Sequence, residues 1–194
     1  MCCLLTSSGA YNEMDYIPFS YLPCTRFFSE NYINAKPFKE KVQNELSFKG
    51  YLYGQRLELS KLNVIDITDK KIFPDQDYYD SLTNSQICLS LNGVGEICNR
   101  DMEILSAGSV LFRPVLEQKF HNPLISGIHY VGYPYIEDAK QQMDVILEEY
   151  DRVKNNYDLL KTIAKNGYDW FSNNGTIDKN VNLLKKLVKF EALK

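Results

Sequence analysis

The chain has 194 residues and a formal net charge of −3. That length suits one domain of ordinary size, or one domain with an extension. Hydrophobic residues at 44% and charged residues at 24% give a globular balance, and the slight acidity excludes a bulk electrostatic pull towards nucleic acid or anionic membrane.

The first 45 residues are rich in proline and aromatics (Pro18, Pro23, Pro37) and lack clear periodicity, which predicts a loop-rich lead-in with a short helix near Phe38 to Leu46. The N-terminus has a short apolar stretch without a basic flank, so no signal peptide is expected. No run approaches the roughly 18 apolar residues of a membrane-spanning helix, so no transmembrane segment is expected. From residue 46 to the end the pattern becomes regular, and this stretch is read as the folded domain. Phe48 opens a short segment whose glycines, Gly50 and Gly54, allow the backbone to approach a ligand. Residues 55 to 63 read as a helix with Leu57 and Leu62 on one side. Val64 to Ile67 reads as a strand, and Tyr78 to Asn84 as a short helix after Pro74.

The run Ile87-Cys88-Leu89-Ser90-Leu91 suits a buried parallel strand. It ends in Asn92-Gly93-Val94-Gly95. A helix over Glu96 to Ala107 follows, with Gly108 as its stop. Strands are expected at Val110 to Phe112 and at His129 to Val131, then helices at 137–150, 154–173 and 178–191. Lys185, Lys186, Lys189 and Lys194 read as the solvated face of the last of these, with a membrane or partner contact as the alternative. Strands alternating with helices predict an α/β fold, a Rossmann-like parallel sheet with right-handed crossovers.

The five cysteines, Cys2, Cys3, Cys24, Cys88 and Cys98, are odd in number and form no CxxC pair. They point away from zinc and towards a reducing, cytoplasmic compartment. Asp75, Asp77 and Asp80 lack the spacing and distal glutamate of an EF-hand loop and read as solvated turn residues.

Chemistry concentrates at residues 89 to 114, a succession of strand, glycine turn, helix and strand. Ligands of open α/β sheets bind at the carboxyl ends of strands, where a helix N-terminus offers free N–H groups and partial positive charge to a pyrophosphate. Asn92, Gly93 and Gly95 form the turn. Arg100 can add a bidentate phosphate contact, and Glu103 can accept from ribose or sugar hydroxyls. The competing reading is an intrahelical set of Arg100, Asp101 and Glu103. Lys49 and Arg56 flank Gly50 as a second basic pair, either a phosphate clamp or two exposed charges. His129 either faces the cleft or is a structural histidine bonded to backbone. His121 carries no such reading. No catalytic base is legible.

Three segments, NGVGEICNRDMEILSAGSVLFRP, GIHYVGY and IAKNGYDWF, occur in this order after FKGYLYGQR. Over about residues 46 to 175 this succession resembles the C-terminal, donor-binding half of glycosyltransferase family 90, which includes Rumi-like protein O-glucosyltransferases and capsule-associated xylosyltransferases. Asn99-Arg100 stands where that family has a Ser-x-Arg helix start, Lys49 where it has an arginine before glycine, and Gly132 where a proline follows HYV. The resemblance implies a GT-B fold, a nucleoside-diphosphate sugar as donor, a glycan or protein hydroxyl as acceptor, and no active-site metal. It also implies a second domain or subunit to complete the cleft, since a GT-B pair needs more chain. The alternatives are a non-catalytic nucleotide- or carbohydrate-binding α/β module and a structural, partner-binding α/β protein.

Overall fold

The computed structural model describes residues 35–42, 45–69, 76–93, 96–117, 122–176, 178–183 and 185. Most of the predicted lead-in, Gly95, His121, Asp75 and the end of the last predicted helix lie outside these residues.

The chain is an α/β protein with parallel strands flanked by helices, compatible with a Rossmann-like arrangement. The order is β1 (Ser47–Gly50), α1 (Gln55–Lys61), β2 (Asp66–Asp69), α2 (Gln76–Asn84), β3 (Ile87–Leu89) and α3 (Asn99–Ser106). β4 (Val110–Pro114), β5 (Val131–Tyr133), α4 (Ala139–Val153) and α5 (Tyr157–Asn174) complete it. Helical backbone resumes over 178–183.

Strands β1 and β2 form one parallel pair, and β3, β4 and β5 form a parallel three-stranded sheet. β1 lies beside β3 without a ladder between them. A parallel bridge between Val42 and Ser85 joins the segments that lead into these two strands. The end of the predicted lead-in is therefore built into the sheet.

Alternation along β3 and β4 explains the layers. Cys88 and Leu111 point to a core completed by Tyr78, Leu82, Met102, Leu105 and Trp170. Leu89, Val110 and Phe112 point to the other, completed by Phe48, Leu59, Met143, Ile146 and Leu160. Both faces of the central strands are buried, so their sequences are continuous apolar runs.

Several boundaries differ from the sequence expectation for identifiable reasons. α3 starts at Asn99 rather than Glu96, because the Asp101 carboxylate accepts the backbone N–H of Cys98 and caps the helix there. Gly108, at φ +66°, closes it as expected. β2 is shifted to Asp66–Asp69, an exposed edge where polar residues suffice. β5 begins at Val131, because Gly127 (φ +78°) turns the chain and a Ser126–Tyr130 bridge occupies the preceding residues. The helix expected from Phe38 to Leu46 is a single 3-10 turn over Phe38–Glu40.

Lys41 is buried and donates to the Thr83 carbonyl at 2.6 Å, the Ala107 carbonyl at 2.9 Å and Ser109 Oγ at 3.1 Å. It thus closes the C-terminal ends of α2 and α3. Burial pushes its ammonium down from 10.5 to about 8. The unfolded chain then binds more protons than the folded one between pH 8 and 10.5, so this lysine makes stability rise with pH across that window, by up to about 3 kcal/mol. Urea unfolding at pH 7.5 and pH 10 checks this. The wild type is expected to gain stability over that interval relative to Lys41→Met, and equal slopes would contradict the assignment.

Candidate functional site

The carboxyl ends of β1 and β3 lie near each other, and the gap between these strands defines the local chemistry. At the end of β3 and just beyond it the carbonyls of Leu89 and Leu91 face the β1 side, whereas the Ser90 N–H bonds the Phe112 carbonyl in β4 at 2.8 Å. Without a ladder to β1 those carbonyls need other donors. Two guanidiniums supply them. Arg56 Nη2 donates to Leu91 O at 2.5 Å and its Nη1 to Tyr51 O at 3.2 Å. Arg100 Nε donates to Leu89 O at 2.7 Å.

Both arginines are more than nine-tenths buried. Their guanidinium carbons lie 4.9 and 5.1 Å from the Phe48 ring centre, and Arg56 also lies 5.1 Å from Tyr53 and Arg100 5.4 Å from Tyr78. Sharing Phe48 keeps the two charges within about 10 Å of each other, a repulsion of at least about 1.7 kcal/mol at an effective dielectric of about 20. Among the described residues neither forms an ion pair, and Arg56 Nε and Arg100 Nη1 have no hydrogen-bond partner. Such atoms are costly when buried. Gly50 leaves room here, since a Cβ on it would sit 3.0 Å from the Phe48 ring.

The remaining charges of the cluster are neutralised internally. Asp101 forms a buried ion pair with Arg113 Nη1 and accepts Ser90 Oγ at 2.5 Å. Arg113 Nη2 bonds Asn92 Oδ1 at 3.0 Å and Glu96 O at 2.7 Å, and its Nε bonds Pro114 O at 3.0 Å. It holds the described flanks of the glycine turn against α3. Glu103 accepts Tyr78 Oη at 2.6 Å. Burial pushes the Glu103 carboxyl up, with Tyr78 and Arg100 acting against it. Burial also pushes up the Cys98 thiol, 3.3 Å from Ser90 Oγ, which leaves it a poor nucleophile.

The structure thus gathers Gly50, Arg56, Asn92, Gly93 and Arg100 at one edge of the sheet. It corrects three expectations. The anion at the α3 N-terminus is the chain's own Asp101 carboxylate, so positive charge resides in Arg56 and Arg100 instead. Glu103 is turned inwards to Tyr78, one helical turn below Arg100, rather than presented to a sugar. His129 lies at the other edge, in the turn that precedes parallel strand β5 and beside Gly167 of α5. Its Nδ1 accepts the Ile125 N–H at 2.9 Å, and burial pushes its imidazole down. Lys49, half-buried, alternates with Phe48 and points to the opposite face of β1.

Sequence reasoning missed Arg113, Phe48, Tyr53 and Tyr78. For Arg113 the signal is a charge inside the apolar run Val110-Leu111-Phe112, which demands a buried partner. Among the described residues no group of three histidine, cysteine or acidic side chains is placed to hold a metal, and no helix is long and apolar enough to cross a membrane. No family model and no curated protein matches the chain.

Proposed function

We propose that the chain is the donor-binding unit of a metal-independent GT-B-type glycosyltransferase, holding a nucleoside-diphosphate sugar at the carboxyl ends of β1 and β3. The observation that carries this reading is the pair of buried guanidiniums, Arg56 and Arg100, neither of which has a carboxylate within ion-pair distance among the described residues, Glu103 acting on Arg100 only from further away. A diphosphate supplies two negative charges and acceptors for the unbonded Arg56 Nε and Arg100 Nη1, and relieves the repulsion between the two arginines. In sugar transfer the same groups stabilise the departing nucleoside diphosphate. In this reading the base that deprotonates the acceptor hydroxyl comes from a second domain or subunit, and Asp101, Glu103 and His129 are each engaged elsewhere.

That engagement also favours the second reading, a non-catalytic nucleotide- or carbohydrate-binding module. Thermal unfolding with and without UDP at a hundredfold excess over its dissociation constant tests the shared part. Such a ligand adds about 2.7 kcal/mol, several degrees for a chain of this size. Arg100→Met is expected to abolish that ligand-induced rise, whatever its own melting point. An undiminished rise would remove Arg100 from the site. Release of sugar from UDP-sugars then separates a transferase from a binding module.

A further inference from the structure

The edge that carries the two arginines also carries the exposed aromatic side chains that follow β1 and β5. Tyr51 and Tyr53 follow β1, and Tyr135 follows β5. Gln55 Nε2 donates to the Ile136 and Glu137 carbonyls, which ties the loop after β1 to the one after β5. Tyr53 occupies a particular position in this rim. Its ring lies 5.1 Å from the Arg56 guanidinium, yet 37% of the residue is open to solvent. A cation held against one face draws electron density from the ring. The exposed part of the ring is then suited to stacking on a heteroaromatic base.

We infer that Tyr53 is the specificity-determining residue of this site, stacking on the heteroaromatic base of a nucleoside diphosphate whose phosphates lie on Arg56 and Arg100. The inference rests on the reading of the two arginines as a diphosphate site and adds what selects the ligand. Discrimination between nucleoside diphosphate and bare pyrophosphate resides in Tyr53, while phosphate affinity resides in the arginines. Base stacking of this kind tolerates different bases, so a pyrimidine and a purine diphosphate both benefit.

Isothermal titration of the full chain with inorganic pyrophosphate, UDP and ADP tests this on the wild type, Tyr53→Phe and Tyr53→Leu. The wild type is expected to bind UDP and ADP at least tenfold more tightly than pyrophosphate. Tyr53→Phe retains that ratio, whereas Tyr53→Leu brings it close to one. Because Tyr53 is partly exposed, equal melting points of the three proteins serve as the folding control. A ratio that survives in Tyr53→Leu, or a wild type that binds all three ligands equally, overturns the role of Tyr53 and leaves the arginine site standing. A wild type that binds none of them overturns both.

Discussion

Replacing Arg113 by methionine is expected to lower the unfolding free energy by about 3–5 kcal/mol, the cost of stranding one member of a buried ion pair. Arg113 and Asp101 are each 1% exposed, so water cannot take over the lost contact. The substitution keeps the apolar stem volume. It leaves the Asp101 carboxylate with the Ser90 hydroxyl and the Cys98 N–H as its partners. It also frees Asn92 Oδ1 and Glu96 O, and so loosens both described flanks of the glycine turn. Against a typical total of about 5–15 kcal/mol, the loss removes roughly a fifth of the stability or more. Urea midpoints measure it. The combination Arg113→Met with Asp101→Asn is expected to recover a substantial part, since asparagine still accepts from Cys98 without a charge to solvate. If the two changes simply add, the pair is not coupled and the assignment of Arg113 as the strut of the turn fails.

Why Arg113 escapes a reading of the sequence while the strands around it do not has a physical basis. β3 and β4 are buried on both faces, so Ile87 to Leu91 and Val110 to Phe112 announce themselves as apolar runs. α3 is framed by a glycine turn and by Gly108, and α4 and α5 are long and periodic. The short exposed β2 carries no such signature, because only one side of it touches the core. The site is legible in its location and less so in its electrostatics. Glycines and arginines near strand ends mark the edge where a ligand binds. Pattern alone does not show which acidic group neutralises which cation. Asp101 and Glu103 are two residues apart on one helix, yet Asp101 takes Arg113 from β4 and Glu103 takes Tyr78 from α2. The two carboxylates therefore point to different elements, and Arg56 and Arg100 are left without a carboxylate within ion-pair distance among the described residues. Likewise His129 belongs to the opposite edge because of a turn at Gly127 and a register fixed by Val131, both long-range outcomes.

Gly167→Ala is expected to destabilise the protein by about 2 kcal/mol or more, although the same change in an ordinary helix interior stabilises by about 1 kcal/mol. Gly167 lies on the buried face of α5, and a Cβ there would stand 2.5 Å from the His129 carbonyl oxygen and 2.8 Å from Leu105 Cδ2. The leucine can rotate. The carbonyl cannot move cheaply, because its loop is pinned by the His129 and Ile128 N–H groups on Ile125 O, by Ile125 N–H on His129 Nδ1 and by Gly127 N–H on Tyr130 O. Either α5 shifts away from the sheet or those bonds stretch, and both outcomes exceed the helix-propensity gain. A fall of roughly 4 °C or more in melting temperature is the expected readout. Two positions away, Lys165→Ala removes an exposed i,i+4 contact to Asp169 and is expected to change stability by no more than about 0.5 kcal/mol. A melting point that rises in Gly167→Ala would mean that the loop yields freely, and that His129 is not held at the far edge of the sheet by this close approach of α5.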